Sequence, residues 1–395
     1  MSPTVVVDFS PLSTPTRVRG IGRYLQTLAL GLSRLEPRAF QGLRVRALLS
    51  IGWSGKFHVT DDFTDVLRHA WPENPTQVDR YRWAYARRIG MWSAVRHLDA
   101  KLVHLGDPNA TPLAMSLFKC KRVVTCHDLI PLQFPSTYLG LRDGFGLVGK
   151  QILLRRYRNA DHVVAISDAT RDEVMRLVGV PAERITRVHN GVDLAGWSPE
   201  DPGDDAVRLE RHGLRSGRFL VYVGDTDWRK NPEGMMRGLA VARNQGADVD
   251  LAFVGRLEPH KVAAIQQQAA REGVHANVRL LGFVSDSDLR ALYRTALAHL
   301  FVSRSEGFGY TVIEAMASGC PVITTNCGSL AEVAGDAAML VDPEDPERIG
   351  QAIVELERDP SLRSDLAQRG ARWAKGFSCE KQASAMLDVF RRLVE

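Results

Sequence analysis

No stretch of this 395-residue chain approaches 18 consecutive apolar residues, so nothing in it is suited to cross a membrane as a helix. The start lacks the marks of a signal peptide. A short T-V-V-V run follows Met1 and Asp8 interrupts it, with no basic flank and no small-residue cleavage site, so export is not expected. Cysteines are few and unpatterned. Cys120, Cys126, Cys320, Cys327 and Cys379 are odd in number and contain no C-x-x-C pair, which argues against a zinc or disulfide framework and fits reduced thiols in a cytosolic protein. No G-x-x-x-x-G-K-[ST] occurs, which excludes a P-loop nucleoside triphosphatase. What is present is ordinary for a globular protein: 45% hydrophobic and 25% charged residues, in a chain long enough for two or three domains.

The net charge of +5 conceals an asymmetry. Residues 1–196 hold 27 Lys and Arg against 17 Asp and Glu, whereas residues 197–395 hold 24 against 29. A basic half points to a phosphorylated substrate, an anionic lipid surface or nucleic acid. The segment Arg80–Lys101 concentrates it, with Tyr81, Trp83, Tyr85 and Trp92 among six Lys and Arg and only Asp99 as acid. It fits a solvated helix with a buried aromatic face, or a surface meeting anionic lipid or a lipid-linked substrate. Nucleic acid is disfavoured because no recognition module accompanies the charge.

Strands alternate with helices throughout. Apolar runs at Thr4–Asp8, Arg44–Leu49, Leu102–Leu105, Val123–Cys126 and His162–Ile166 are continuous rather than alternating, which predicts a parallel sheet covered on both faces. Helical spacing marks Ile21–Leu35 and Asp168–Val178 between them. The Pro-, Gly- and acid-rich stretch Leu194–Gly217 predicts a linker. Alternation then resumes from Phe219–Gly224 to Ala337–Val341, and three helical stretches end the chain. Two doubly wound α/β domains are expected, with a ligand cleft between them where strand C-termini face each other.

Two motifs invite misreading. Gly144, Gly146 and Gly149 spell G-x-G-x-x-G, but loop-like sequence precedes them where the dinucleotide fingerprint needs a strand. Asp225-Thr226-Asp227 could hold a divalent ion against a diphosphate, but the Arg229-Lys230 that follows supplies fixed positive charge there, so no metal is expected. Asp286 and Asp288 read as helix-capping residues.

The informative stretch runs from Ser305 to Gly319, S-E-G-F-G-Y-T-V-I-E-A-M-A-S-G, after the strand Ala298–Ser303. Glycines at a helix N-terminus let backbone N–H groups approach an anion. Glu306 before the turn and Glu314 inside the helix are carboxylates suited to accept hydrogen bonds from vicinal hydroxyls. A nucleotide sugar offers a ribose diol, a diphosphate and sugar hydroxyls.

Glu306 to Glu314, with G-F-G between them and E-A-M-A-S-G-C-P-V-I after, resembles the E-x7-E signature of retaining glycosyltransferase family 4. The resemblance covers nearly the whole chain. Gly20-Ile21-Gly22-Arg23-Tyr24 resembles the family's first glycine loop, His127-Asp128-Leu129 its central histidine, and Asn190-Gly191-Val192-Asp193 the motif before its interdomain crossover. Val221-Tyr222-Val223-Gly224 with Arg229-Lys230-Asn231 resembles its basic diphosphate clamp, although Asp225 stands where many members have a basic residue. The resemblance implies a GT-B fold: a Rossmann-like acceptor-binding domain (1–195), a Rossmann-like nucleotide-sugar domain (196–376) and a last helix (377–395) returning to the first.

The same resemblance implies roles. Glu306 contacts hydroxyls of the transferred sugar, and His127 hydrogen-bonds that sugar near the reacting centre. Gly307, Phe308 and Gly309 meet sugar or phosphate oxygens, with Gly20 and Gly22 as further donor-binding positions, and Glu314 meets the ribose. Arg229 and Lys230 neutralise the diphosphate, and Asp225 would be tolerated there if turned away or paired, with Arg229 for example. Blander readings stand beside these: Glu314 as an exposed helix residue, His127 bonded to backbone at a strand end, Arg229 and Lys230 as solvated turn charges, and Asn190-Gly191 as a plain turn. The expected activity is metal-independent, retaining hexosyl transfer without a cofactor, from a nucleoside diphosphate sugar to a glycan or lipid-linked acceptor. The R-G-I-G-R-Y and H-D-L-I-P-L wording favours GDP-mannose and surface polysaccharide assembly; a UDP-, ADP- or dTDP-sugar, or a nucleotide-sugar epimerase, is the alternative. The enzyme is expected in the cytoplasm, with peripheral contact at the inner membrane face as one reading of the basic half.

Overall fold

Val5, Val6 and Val7 are fully buried and form the centre of the first strand, which fits a position inside a sheet covered on both faces. The computed structural model describes residues 2–14, 20–51, 56–68, 90–108, 119–138 and 146–395. It divides into two units, Met1–Asp193 with Phe377–Glu395, and Leu194–Gly376.

The first unit is built on β1 (Thr4–Asp8), β2 (Arg44–Ile51), β3 (Lys56–Thr60), β4 (Leu102–Leu105), β5 (Lys121–Cys126), β6 (His162–Ala165) and β7 (Ile185–Arg187). These lie in the order β3-β2-β1-β4-β5-β6-β7. Every pairing is parallel except the edge, where β3 runs antiparallel to β2. The continuous-run criterion missed β3 because an edge strand alternates, here with Lys56 and His58 exposed. It missed β7 because three residues are too few to show a pattern.

The second unit holds β8 (Phe219–Val223), β9 (Asp250–Val254), β10 (Val278–Gly282), β11 (Ala298–Phe301), β12 (Val322–Thr325) and β13 (Met339–Val341). All are parallel, in the order β10-β9-β8-β11-β12-β13. The winding direction reverses between β8 and β11, the point where open α/β sheets bind ligands beyond the strand C-termini. The predicted linker is more structured than its composition suggests. It contains a helix, Asp205–Arg211, fastened by the almost fully buried Asp205–Arg294 ion pair (2.5 Å).

Two helices close the first unit. α1 (Gly20–Arg34) carries Tyr24, Leu25, Leu28 and Leu32 on its buried face. Gly20 and Gly22 therefore lie in the opening turn of a helix that begins one residue ahead of the Ile21–Leu35 spacing, where the resemblance implied a glycine loop. The C-terminal helix (Cys379–Val394) packs on α1 so closely that a Cβ at Gly31 would overlap the Cys379 carbonyl. The Asn190–Asp193 motif docks at the start of that helix. Val192 N–H donates to Phe377 (2.7 Å), Gly191 N–H donates to Gln382 Oε1 (3.1 Å), and a Cβ at Gly191 would come within 2.5 Å of the Cys379 Cα. Gly191 is thus required by close packing rather than by a turn.

Two buried histidines make the fold sensitive to acid. His104 on β4 sits with Thr125 (2.8 Å), and burial, with His127 nearby, lowers its pKa to about 3. His299 on β11 donates Nδ1–H to the Val221 carbonyl (2.9 Å) and accepts from Thr311 at Nε2 (3.2 Å); burial lowers its pKa to about 4. Both folded pKa values lie below the unfolded one, so the stability they contribute is complete above pH 6.5 and is lost as pH falls towards the folded values. Each should cost on the order of 2 kcal/mol between pH 7 and pH 5. Denaturant melts across that range measure this, and a flat profile would contradict it.

Candidate active site

The segment leaving β8 forms one side of the site. Gly224 adopts φ +154°, where a Cβ would come within 2.7 Å of the Tyr222 hydroxyl, and that hydroxyl donates to the Asp225 carbonyl. The Asp225 carboxylate accepts the Asp227 N–H (3.2 Å), and the Asp227 carboxylate caps the short 3₁₀ turn Trp228–Lys230 by accepting the Arg229 N–H (3.1 Å). The D-x-D pair therefore builds the turn that carries the two cations. Arg229 pairs with Asp227 (3.7 Å) and more closely with Glu306.

Asn231 ends the turn. It is fully buried in the left-handed conformation (φ +57°, ψ +49°), and its Oδ1 accepts the Gly234 N–H (3.1 Å) to cap α2 (Pro232–Asn244). Its Nδ2 donates to the Val302 carbonyl (3.2 Å) just past β11 and to the Pro343 carbonyl (2.7 Å) just past β13. One amide thus ties the cationic turn to two other strand ends. The Arg304 N–H adds a bond to the Arg229 carbonyl (2.7 Å). Sequence reading gave Asn231 no role of its own, although an Asn-Pro pair opening a helix is a capping signal.

The segment leaving β11 forms the other side. Gly309 (φ +103°) starts α3 (Tyr310–Ala317), and a Cβ there would come within 2.6 Å of Leu330 Cδ2. The Ser329 hydroxyl, in the first turn of α4 (Ser329–Ala334), donates to the Glu306 carbonyl (2.8 Å), with the Phe308 carbonyl at 3.2 Å. No sequence signal marked Ser329 as the brace of this loop. Phe308 is buried, and Glu314 is fully buried in the second turn of α3, so the exposed-helix reading of Glu314 does not hold. Asp286 and Asp288 are not caps either. Ser285 is the cap, and its Oγ accepts the Asp288 N–H (3.1 Å).

Glu306 is the centre of this arrangement. Its side chain is only 9% exposed, and its two oxygens take Arg229 Nη1 at 2.8 Å and Lys230 Nζ at 2.5 Å. Burial pushes its carboxyl upward, but Lys230 and then Arg229 outweigh that and hold it below the usual glutamate value. Lys230 also lies 4.8 Å over the Phe301 ring. Arg229 and Lys230 are therefore not solvated turn charges but a fixed, largely buried cation pair at the switch point. Acting together, these groups can neutralise a diphosphate at the cations and accept hydroxyl hydrogen bonds at the carboxylate.

His127 belongs to the first unit, just past β5. Its Nε2 donates to the Gly106 carbonyl (2.7 Å), and its ring meets Tyr24 edge-on at 4.9 Å. The backbone-bonded reading is thus met, and the bond fixes the tautomer. Burial lowers its pKa, so at neutral pH the ring is uncharged with its lone pair on Nδ1. Of the false dinucleotide motif, Gly146 and Gly149 lie in the helix Gly146–Arg158, and Gly144 lies outside the described residues, as does most of the basic aromatic segment.

Comparison with known proteins gives this geometry a context. The model of glycosyl transferases group 1 matches residues 210–373, and that of glycosyltransferase family 4 matches residues 18–195. An O-antigen chain mannosyltransferase B of Escherichia coli is 30% identical over 325 residues, 81% of either chain. A D-inositol 3-phosphate glycosyltransferase of Catenulispora acidiphila is 32% identical over 251 residues, 60% of this chain and 58% of that one. The solved structure of Anabaena HepE in complex with UDP and glucose superposes over 98% of this chain and 99% of that chain, with a TM-score of 0.73 and 18% identity. Among the described residues no helix is long and apolar enough to cross a membrane. The chain belongs to the group 1, family 4-like glycosyltransferases, hexose-transferring enzymes of the GT-B fold.

Proposed function

We propose that the second unit binds a nucleoside diphosphate hexose and that the enzyme transfers the hexose with retention, without a metal, to a glycan or lipid-linked acceptor in surface polysaccharide assembly. The observation that carries this reading is the Arg229–Glu306–Lys230 cluster at the sheet's switch point. In the transfer, the bond from the sugar's anomeric carbon to the phosphate oxygen breaks and one to the acceptor oxygen forms. The acceptor's hydroxyl proton goes to the departing phosphate on the same face. Charge grows on that phosphate as the bond breaks, and Arg229 and Lys230 are already in place to meet it. Glu306 accepts hydrogen bonds from the sugar hydroxyls and Glu314 from the ribose. The backbone N–H groups of Phe308 and Gly309 serve the sugar or phosphate, and neutral His127 serves the sugar through Nδ1.

GDP-mannose is the favoured donor, supported by the likeness to the Escherichia coli mannosyltransferase. A UDP-hexose is the second reading, favoured by the HepE complex with UDP and glucose. Calorimetry with GDP, UDP, ADP and dTDP separates them: GDP should bind well above the others, and equal or reversed affinities would sink that choice. NMR of the product should show the donor's anomeric configuration, at a rate unchanged by EDTA.

The excess positive charge of residues 1–196 supports an acceptor presented at an anionic membrane surface. The protein should bind anionic vesicles over neutral ones at low salt and release them as salt rises. Equal binding to both would count against it.

A further inference from the structure

Glu306 makes its closest contacts with the same two cations that the donor's diphosphate needs. All three side chains are largely withdrawn from water, Lys230 at 13% exposure and Arg229 at 23%, so their interaction is weakly screened. A diphosphate entering this site must draw N–H groups away from a carboxylate that already holds them at 2.8 and 2.5 Å. Any phosphate oxygen brought to either cation also approaches the negative charge of Glu306.

We propose that Glu306 is a built-in counter-ion that competes with the diphosphate for Arg229 and Lys230, and that this competition weakens the spent nucleotide and speeds its release. The inference rests on the donor-binding reading above. An intact donor compensates Glu306, because the sugar hydroxyls donate to the carboxylate as the cations turn to the phosphates. After transfer the sugar is gone, and the nucleoside diphosphate offers Glu306 no donor. The carboxylate then re-forms its ion pairs and repels the phosphates. The same competition protects the empty clamp from free phosphate and pyrophosphate. Glu306 thereby acts twice, as a hydroxyl acceptor in the loaded site and as a competitor in the spent one.

The test is calorimetry on the full chain with GDP, UDP, their hexose conjugates and inorganic pyrophosphate, comparing wild type with Glu306→Gln. The amide keeps the shape and removes the charge. The variant should bind the preferred nucleoside diphosphate and pyrophosphate at least about tenfold more tightly, as expected when a like charge within a few ångströms is removed. Its affinity for the intact nucleotide sugar should rise less or fall, and product inhibition should deepen in parallel. Unchanged or weaker nucleoside diphosphate binding by Glu306→Gln overturns the counter-ion role. If that variant does not fold, Glu306→Asp, which retracts the charge by one methylene, should show a smaller rise, and no rise overturns the proposal equally. A wild type that binds none of the nucleoside diphosphates would instead refute the donor-site reading, and the counter-ion role with it.

Discussion

Lys230→Ala should lower kcat/KM for hexosyl transfer by about 10²- to 10³-fold, the scale set by removing one pre-placed donor from a developing anion. In the empty site the ammonium lies beside Glu306 at 2.5 Å and over the Phe301 ring at 4.8 Å, and once the bound donor has drawn it to the diphosphate it needs no further reorganisation when charge grows on the departing phosphate. The loss should fall mainly on kcat, because the charge it meets is greater in the transition state than in the bound donor. Arg229 remains to hold Glu306, so no carboxylate is left buried alone, and the thermal midpoint should move only slightly. A Lys230→Ala enzyme within threefold of wild type in kcat/KM would contradict the assignment of this side chain to the leaving group.

The second large effect belongs to Asn231. Replacement by alanine leaves the Val302 and Pro343 carbonyls and the Gly234 N–H without their partner in a fully buried position. It also places a residue poorly suited to φ +57° in the left-handed region. Each orphaned buried group costs about 1–3 kcal/mol and the backbone conformation about 1 kcal/mol, so a loss of at least about 4 kcal/mol is expected. Activity should fall as well, because the amide sets where the Arg229-Lys230 turn stands relative to Glu306. Asn231→Gly separates the two causes. It should recover about 1 kcal/mol of stability by relieving the backbone while leaving the hydrogen bonds broken. Denaturant melts check both variants, and an Asn231→Ala protein within 1 kcal/mol of wild type would show that the turn is held some other way.

Much of the fold is legible in the chain because buried parallel strands write themselves as apolar runs. Val5-Val6-Val7 and Leu220-Val221-Tyr222 admit few other readings. What was illegible depends on partners distant in sequence. The helix Asp205–Arg211 is hidden in a linker-like composition because Arg294, the residue that fastens it, lies 89 residues on.

The candidate site follows the same rule. Glu306, Arg229 and Lys230 each stand out by local motif, yet the motif assigns the carboxylate to a sugar and the cations to a diphosphate. That they hold one another follows only from β8 and β11 being neighbours, 76 residues apart at Lys230 and Glu306. Asn231 and Ser329 do their work through backbone carbonyls of other segments, which no spacing in the sequence reveals.

The central claim is that the cation pair beyond β8 receives the diphosphate of a nucleotide-linked hexose. Its most direct measurement is calorimetric binding of the preferred nucleoside diphosphate to wild type and to Lys230→Ala, side by side. Saturable binding by wild type, weakened at least about tenfold in the variant as a lost charge-assisted contact requires, is the expected result. Equal affinity in the two proteins would contradict it.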